Sequence, residues 1–348
     1  MLRNLRFPAL SALAAIGALA AAACDDDDGT GNNPPLVFEE TALVADASGL
    51  GAPTVDPNLT NPWGIAINQS NGFIWVANNH SGTSTVYQPS GAVVSLVVDI
   101  PSATAATGGA PTGIVFNSTT DFVIPGSGPA AFLFAGEDGV ISGWNQTTGT
   151  AAIVVVNRSA QDAAYTGLTA IGNTLFAANF KHNAVDMFDK DFAFVKSFTD
   201  AGIPADYGPF NIQSIGSNLY VAYAKVDPAT GDEVKGAGNG YVSVFSADGT
   251  FIKRFASNGT LNAPWAIAVA PANFGSFAGS ILIGNFGDGR INVFNANDGS
   301  LLGQLKSANG EIELDGLWAL VTGSDGTLYY AAGVQDEAHG VLGTVGPQ

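Results

Sequence analysis

Apolar residues along this chain fall in short runs, and most runs alternate with polar positions at a period of two. Six segments open in the same way: Pro62-Trp63-Gly64-Ile65, Pro111-Thr112-Gly113-Ile114, Tyr165-Thr166-Gly167-Leu168, Pro209-Phe210-Asn211-Ile212, Pro264-Trp265-Ala266-Ile267 and Leu317-Trp318-Ala319-Leu320. They stand 49, 54, 44, 55 and 53 residues apart. Each opens a similar series. A short apolar strand comes first, such as GIAIN at 64–68. A second ends in small residues and often Asn, as in IWVANN at 74–79, FLFAGED at 132–138, LFAANF at 175–180 and ILIGNF at 281–286. A third alternates, as in AVDMFD at 184–189 and YVSVFS at 241–246. A Gly-bearing turn follows, as in Asp248-Gly249 and Asp298-Gly299. A fourth strand closes the unit, as in VVSLVVDI at 93–100 and FIKRFA at 251–256.

Four strands in a unit of this length predict one blade of a β-propeller. No 3.6-residue period argues for a helical solenoid. The expected fold is all-β, a six-bladed propeller of four-stranded blades near 62–100, 111–157, 165–199, 209–256, 264–306 and 317–345, in one domain over 38–348. The sixth unit ends at the chain terminus with three strands, at 317–321, 328–332 and 340–345. The segment Glu40-Thr41-Ala42-Leu43-Val44-Ala45-Asp46 resembles the fourth strand Ser95-Leu96-Val97-Val98-Asp99. Residues 38–46 are therefore expected to supply the missing outer strand and close the ring, which removes an exposed sheet edge.

The pattern P-x-G-I-A, then I-x-V-A-N, then V-x-V-F-x-x-x-G resembles NHL repeats. NPWGIA, GNFGDGRINVF and DGLWAL resemble a bacterial family of exported propellers, some of whose members occur with exosortase sorting. This resemblance implies a fold and no activity. Related six-bladed propellers include calcium-dependent lactonases, a peptidyl-amidating lyase and binding modules, so the fold does not choose among functions.

Composition adds an address. Arg3 and Arg6 precede an apolar stretch, Phe7 to Ala23, that ends in Ala21-Ala22-Ala23-Cys24. Residues 1–23 read as a signal peptide, and the small residues before Cys24 resemble a bacterial lipobox with Ala21 in place of the usual Leu. Cys24 is the only cysteine, which excludes an intramolecular disulfide and a Cys-rich metal site. It is the expected lipidation site, with 24–37 as an acidic, Gly/Asn/Pro tether at the cell envelope. Cleavage by the ordinary signal peptidase, giving a secreted soluble protein, is the alternative. The net charge of −18 disfavours nucleic acid and suits cations or basic partners.

In a propeller the loop entering each first strand and the loop after each second strand share one face. That places Asn61, Asn78, Asn79 and His80 of blade 1 around one channel mouth with Glu137 and Asp138 of blade 2. Asn179, Lys181 and His182 of blade 3 join them, with Asn211 and Lys225 of blade 4 and Asn285 and Asp288 of blade 5. Blade 6 adds Glu313, Asp315, Asp336, Glu337 and His339. Asn and carboxylate oxygens suit Ca²⁺. Glu137, Asn179, Asn285 and Asp288 are the candidate metal ligands, with turn chemistry as the other reading of the Asn residues. The longest insertion on this face is 225–240. Two functions remain open: a monomeric module that binds a small molecule, glycan or protein at the mouth, and a calcium-dependent lactonase-like hydrolase or lyase.

Overall fold

A computed structural model of the chain describes residues 36–348; the expected signal peptide, Cys24 and most of the tether lie outside them. Among the described residues the backbone is β-strand and loop with three short 3-10 turns, and no helix is long and apolar enough to cross a membrane. Five four-stranded antiparallel sheets follow one another along the chain. The first is Pro62–Ile67, Ile74–Asn78, Thr83–Tyr87 and Val93–Asp99. The inner strands of the next four are Pro111–Phe116, Tyr165–Ile171, Tyr207–Ile215 and Pro264–Val269. Each sheet is ordered from inner to outer strand as its sequence runs, the arrangement of propeller blades.

The sixth blade closes the ring. Phe38–Ala45 pairs antiparallel with Val341–Pro347, outside Leu328–Ala332 and Leu317–Thr322. The expected closure over 38–46 is thus met to within a residue. The sequence did not signal one addition: Thr54–Val55 pairs parallel with Val44 and Ala45, making this sheet five-stranded. Asp46 clasps the join, accepting from His339 Nδ1 at 3.0 Å and from the Gly340 amide at 3.2 Å.

The repeated signature has a structural reason. In every blade the inner pair shifts register at its second residue, between Pro62 and Ile65, Tyr165 and Gly167, Pro209 and Asn211, Pro264 and Ala266, and Leu317 and Ala319. In blade 2 the shift lies opposite Thr112. A β-bulge here re-aims the second residue, and in this chain those residues converge on the channel axis. In five of the six copies the third residue is Gly or Ala, because inner strands crowd together; blade 4 has Asn211. A Cβ on Gly64 would lie 2.5 Å from the Thr112 carbonyl oxygen. The turns after the third strands also follow the sequence: Gly249 and Gly299 have φ of +78° and +77°, and the preceding Asp248 and Asp298 carboxylates accept from the amides of Thr250 and Ser300.

Candidate functional site

The bulged residues build an aromatic plug across the channel. Trp63 stacks on Trp318 at 3.6 Å between centroids, and Phe286 stacks on Trp318 at 3.9 Å. Trp265 and Phe210 meet Trp318 edge-on at 5.9 and 5.7 Å, and Phe180 packs on Phe210. All six are buried. Burial on this scale makes the plug both a core and a floor. Two of its indole N–H groups are satisfied: Trp318 Nε1 donates to Asn61 Oδ1 at 3.0 Å, and Trp265 Nε1 donates to the Thr166 carbonyl at 3.0 Å. Trp63 Nε1 has no partner, although Trp63 is only 5% exposed.

The plug is lopsided. Blades 1, 4, 5 and 6 supply aromatics at the bulge, whereas blades 2 and 3 supply Thr112 and Thr166. These hydroxyls donate across the blade joints, to the carbonyls of Tyr165 at 2.8 Å and Pro209 at 3.3 Å. Room opens above Thr166. A pocket of about 240 Å³ opens there, walled by Trp63, Glu137, Thr166, Phe180, Phe210 and Glu233 among others. The insertion at 225–240 folds back as a hairpin, Val226 bridging Glu233, and its returning arm at 230–233 covers one side of the pocket. Beneath the plug the channel narrows, then widens into a vestibule of about 590 Å³ at its far end, where Gln69, Ser118, Gln213 and Ser324 supply neutral polar groups.

Carboxylates from two blades line the pocket, Glu137 and the insertion's Asp232 and Glu233, beside Lys181 of blade 3. Glu337 of blade 6 lies near enough for its charge to act on Glu137 and Glu233. Glu137 accepts from Asn79 Nδ2 at 3.1 Å, and Glu337 accepts from Asn61 Nδ2 at 3.0 Å. Glu137 stays open to solvent along the pocket, yet the crowded walls around it push its carboxyl above the usual range. The Asn79 hydrogen bond and the His80 charge oppose that shift, and the charge of Glu337 adds to it. Burial also raises Glu337, against His80 and Asn61. Glu233 is pushed up to about 7, by burial first and then by the like charge of Glu337. Glu337 sits on an unusual support. Gln335, Asp336 and Glu337 have φ of +57°, +53° and +64°, one left-handed turn without a glycine. Such residues cost on the order of 1 kcal/mol each. The Gln335 amide donates to Asp315 Oδ2 at 2.7 Å, so Asp315 and Asn61 together hold the turn.

The structure brings Asn61, Asn79, His80, Glu137, Lys181 and Glu337 to this mouth and places Asp315 behind it. It puts the other expected residues to other uses. Asn78 Nδ2 donates to Thr83 and Thr85 within its own blade. Asp138 accepts from the Ala103 amide and anchors the loop before blade 2. Asn179 accepts from the Ala164 amide and donates to Asp186. Asn211 donates to the Trp265 carbonyl below the plug. Asn285 ties Thr260, Asn262 and Asp288 into one turn. The three histidines separate: His80 faces the mouth, His182 meets the Asp162 carbonyl on the rim, and His339 belongs to the ring closure. The expected metal set Glu137, Asn179, Asn285 and Asp288 is spread over separate contacts. Its members engage different partners in three blades, and among the described residues no three His, Cys, Asp or Glu side chains converge at metal-ligand distance.

These features define a six-bladed propeller with a walled pocket over its channel, and a model described as NHL repeat matches residues 59–86. Uncharacterized protein R648 of Acanthamoeba polyphaga mimivirus is 36% identical over 321 residues, 87% of this chain and 78% of that protein. Uncharacterized protein L690 of the same virus is 35% identical, over 83% and 81%. The chain belongs to the family of these mimivirus proteins. Both relatives are viral, so the expected bacterial and exosortase affiliation does not follow from them. Among solved structures, a streptogramin B lyase aligns with a TM-score of 0.53 at 15% identity, over 90% of this chain and 98% of that one. The soluble aldose sugar dehydrogenase of Escherichia coli aligns with a TM-score of 0.59 at 13% identity, over 90% and 100%. At these identities the likeness is one of fold alone.

Proposed function

We propose that this chain is a binding module that takes a small molecule, glycan or protein segment into the pocket at its channel mouth. One observation carries the reading: the plug opens over Thr166 into a pocket walled by Trp63, Phe180 and Phe210, with Glu137 of blade 2, Lys181 of blade 3 and Asp232 and Glu233 of the blade 4 insertion around it. A pocket with aromatic walls and a few convergent polar groups is the usual form of a ligand site. The lactonase-like alternative is not supported, because its donor set does not gather. The test is a screen of amine, glycan and peptide probes against the full-length chain, read by fluorescence of the stacked tryptophans. Saturable changes are expected, and Ala164→Trp, which fills the pocket from its wall, should abolish them. Binding that survives Ala164→Trp, or no response from any class, would overturn the reading.

We also propose that the protein is exported and held at a membrane by lipid on Cys24. Arg3, Arg6 and the apolar stretch to Ala23 support this, and two or three acyl chains anchor firmly where one does not. Mass spectrometry of the mature N-terminal peptide should find an acylated Cys24. An unmodified peptide that begins elsewhere would rule the anchor out.

A further inference from the structure

We propose that the face opposite the mouth pocket docks on a lipid bilayer through a ring of apolar side chains at its rim, so that the pocket points away from the membrane. The inference rests on the anchor at Cys24 proposed above and adds the orientation in which that anchor holds the propeller.

Strand direction sets which residues share the far side. Neighbouring strands within a blade are antiparallel. The loops between first and second strands and the turns between third and fourth strands therefore lie away from the mouth. Among the described residues ten large apolar side chains are exposed, and eight of them occupy the first two positions of a fourth strand. Phe194 and Val195 open the outer strand of blade 3, Phe251 and Ile252 that of blade 4, and Leu301 and Leu302 that of blade 5. Val93 and Ile153 hold the first position in blades 1 and 2. All eight are between 41% and 50% exposed. A ninth, Val123, lies in the far-side loop between the first two strands of blade 2.

Exposed apolar residues scattered singly are ordinary on a protein surface. Recurrence at one repeat position is different. Blades are related by rotation about the channel axis, so equivalent positions stand at one height around it. A ring of that kind meets a plane at every point, whereas a protein partner would have to span the whole diameter. A bilayer is an apolar surface of the required form.

The chain enters the domain from the same side. Leu36 rests against Gly275, in the loop between the first two strands of blade 5, and Phe38 packs on Phe274 and Phe277 of that loop. Phe38 opens the outer strand of blade 6, so this one blade buries its opening apolar residue where the others expose theirs. The 12 residues Cys24 to Pro35 span at most about 40 Å when extended. An acyl group on Cys24 therefore delivers this face to the membrane, and tethering raises the effective concentration of the weak rim contacts.

Charge follows the same division. Glu137, Lys181, Asp232 and Glu233 line the mouth pocket, whereas the described residues that line the far vestibule are all uncharged. Acids in the far turns have lysines beside them. Lys190 pairs with Asp191 at 2.8 Å, and the charges of Lys196 and Lys253 act on Asp248 and Asp298. A lysine stem can lie along an apolar rim while its ammonium stays among lipid headgroups.

The experiment uses the mature protein as recovered from cells, mixed with vesicles of phosphatidylcholine brominated on its acyl chains, which quench a tryptophan only on contact. Val195→Trp and Ile252→Trp place the reporter on the rim, and Ala229→Trp places it on the mouth-side insertion. The fluorescence added by the two rim variants should be lost on mixing, and that added by Ala229→Trp should not change. Replacing Val195 and Leu302 with Ser should diminish the loss at Ile252→Trp. Matching melting curves show that each variant is folded. Quenching at Ala229→Trp, no quenching at the rim, or undiminished quenching in the serine variant would overturn the proposal. Mass spectrometry of the N-terminal peptide separates the two readings. If Cys24 is acylated and the rim is not quenched, the docking fails and the anchor stands. If Cys24 is unmodified the anchor fails, and quenching at the rim alone still establishes the docking face.

Discussion

A chain from which residues 1–46 are removed is expected to lose its cooperative thermal transition, whereas one lacking only residues 1–35 should melt with the full chain. The longer deletion takes away the strand Phe38–Ala45, which pairs along its whole length with Val341–Pro347. It also removes Phe38, Val44 and Ala45 from the core, all essentially inaccessible to water. Phe38 packs on Phe274 at 4.8 Å and lies stacked with Phe277, so the strand also holds blade 6 to the loop between strands of blade 5. Burying a Phe or Val side chain contributes about 1.5–3 kcal/mol. Those two residues alone account for roughly 3–6 kcal/mol, a large share of the 5–15 kcal/mol that holds a typical domain folded. The clasp between Asp46 and His339 goes as well, and Val341–Pro347 becomes an unprotected edge open to pairing with other chains. Circular dichroism melts check this. A sharp transition at an unchanged temperature in the longer deletion would show that the ring closes elsewhere.

Trp318→Ala carries the second large effect. Trp318 is 1% exposed and sits between the rings of Trp63 and Phe286. Truncating a buried Trp to Ala costs about 3–5 kcal/mol, because the cavity left behind only partly collapses. The side chain also satisfies Asn61 Oδ1, whose Nδ2 holds Glu337 at the mouth. Loss of the ring should thus lower stability and disorder the mouth together. Trp318→Phe separates the two: it keeps much of the stack, removes the hydrogen bond and should cost about 1–2 kcal/mol. Urea denaturation measures both. A loss below 1 kcal/mol for Trp318→Ala would mean that the plug is not the centre of the ring.

Much of the fold was legible because a propeller writes the same instruction six times. Pro-Trp-Gly-Ile at 62–65 and its copies mark the bulge, the close approach and the inner strand at once. The likeness of 40–46 to 95–99 then gave the closure. The parallel pairing of Thr54–Val55 was not legible, since two residues carry no periodicity. The site was legible as a face and less so as a set of side chains. Asn179 and Asn285 recur at one position in the repeat because their amides satisfy backbone and neighbouring carboxyl groups there, and repetition cannot separate that use from ligand binding. Glu233 came from an insertion that no repeat predicts. Glu337 owes its place to a left-handed turn that sequence does not encode through glycine. One signal was present in the chain from the start: Thr112 and Thr166 stand where four other copies carry an aromatic ring. A gap in a repeated column marks where the plug is open.

The most direct measurement is a crystal structure of the chain grown with a saturating amount of a probe that binds in the screen. The probe is predicted in the mouth pocket, against Trp63 and Phe210 and beside the carboxylates of Glu137 and Glu233. A probe found only in the far vestibule beside Gln213, or on the outer rim of the blades, would contradict the placement of the site.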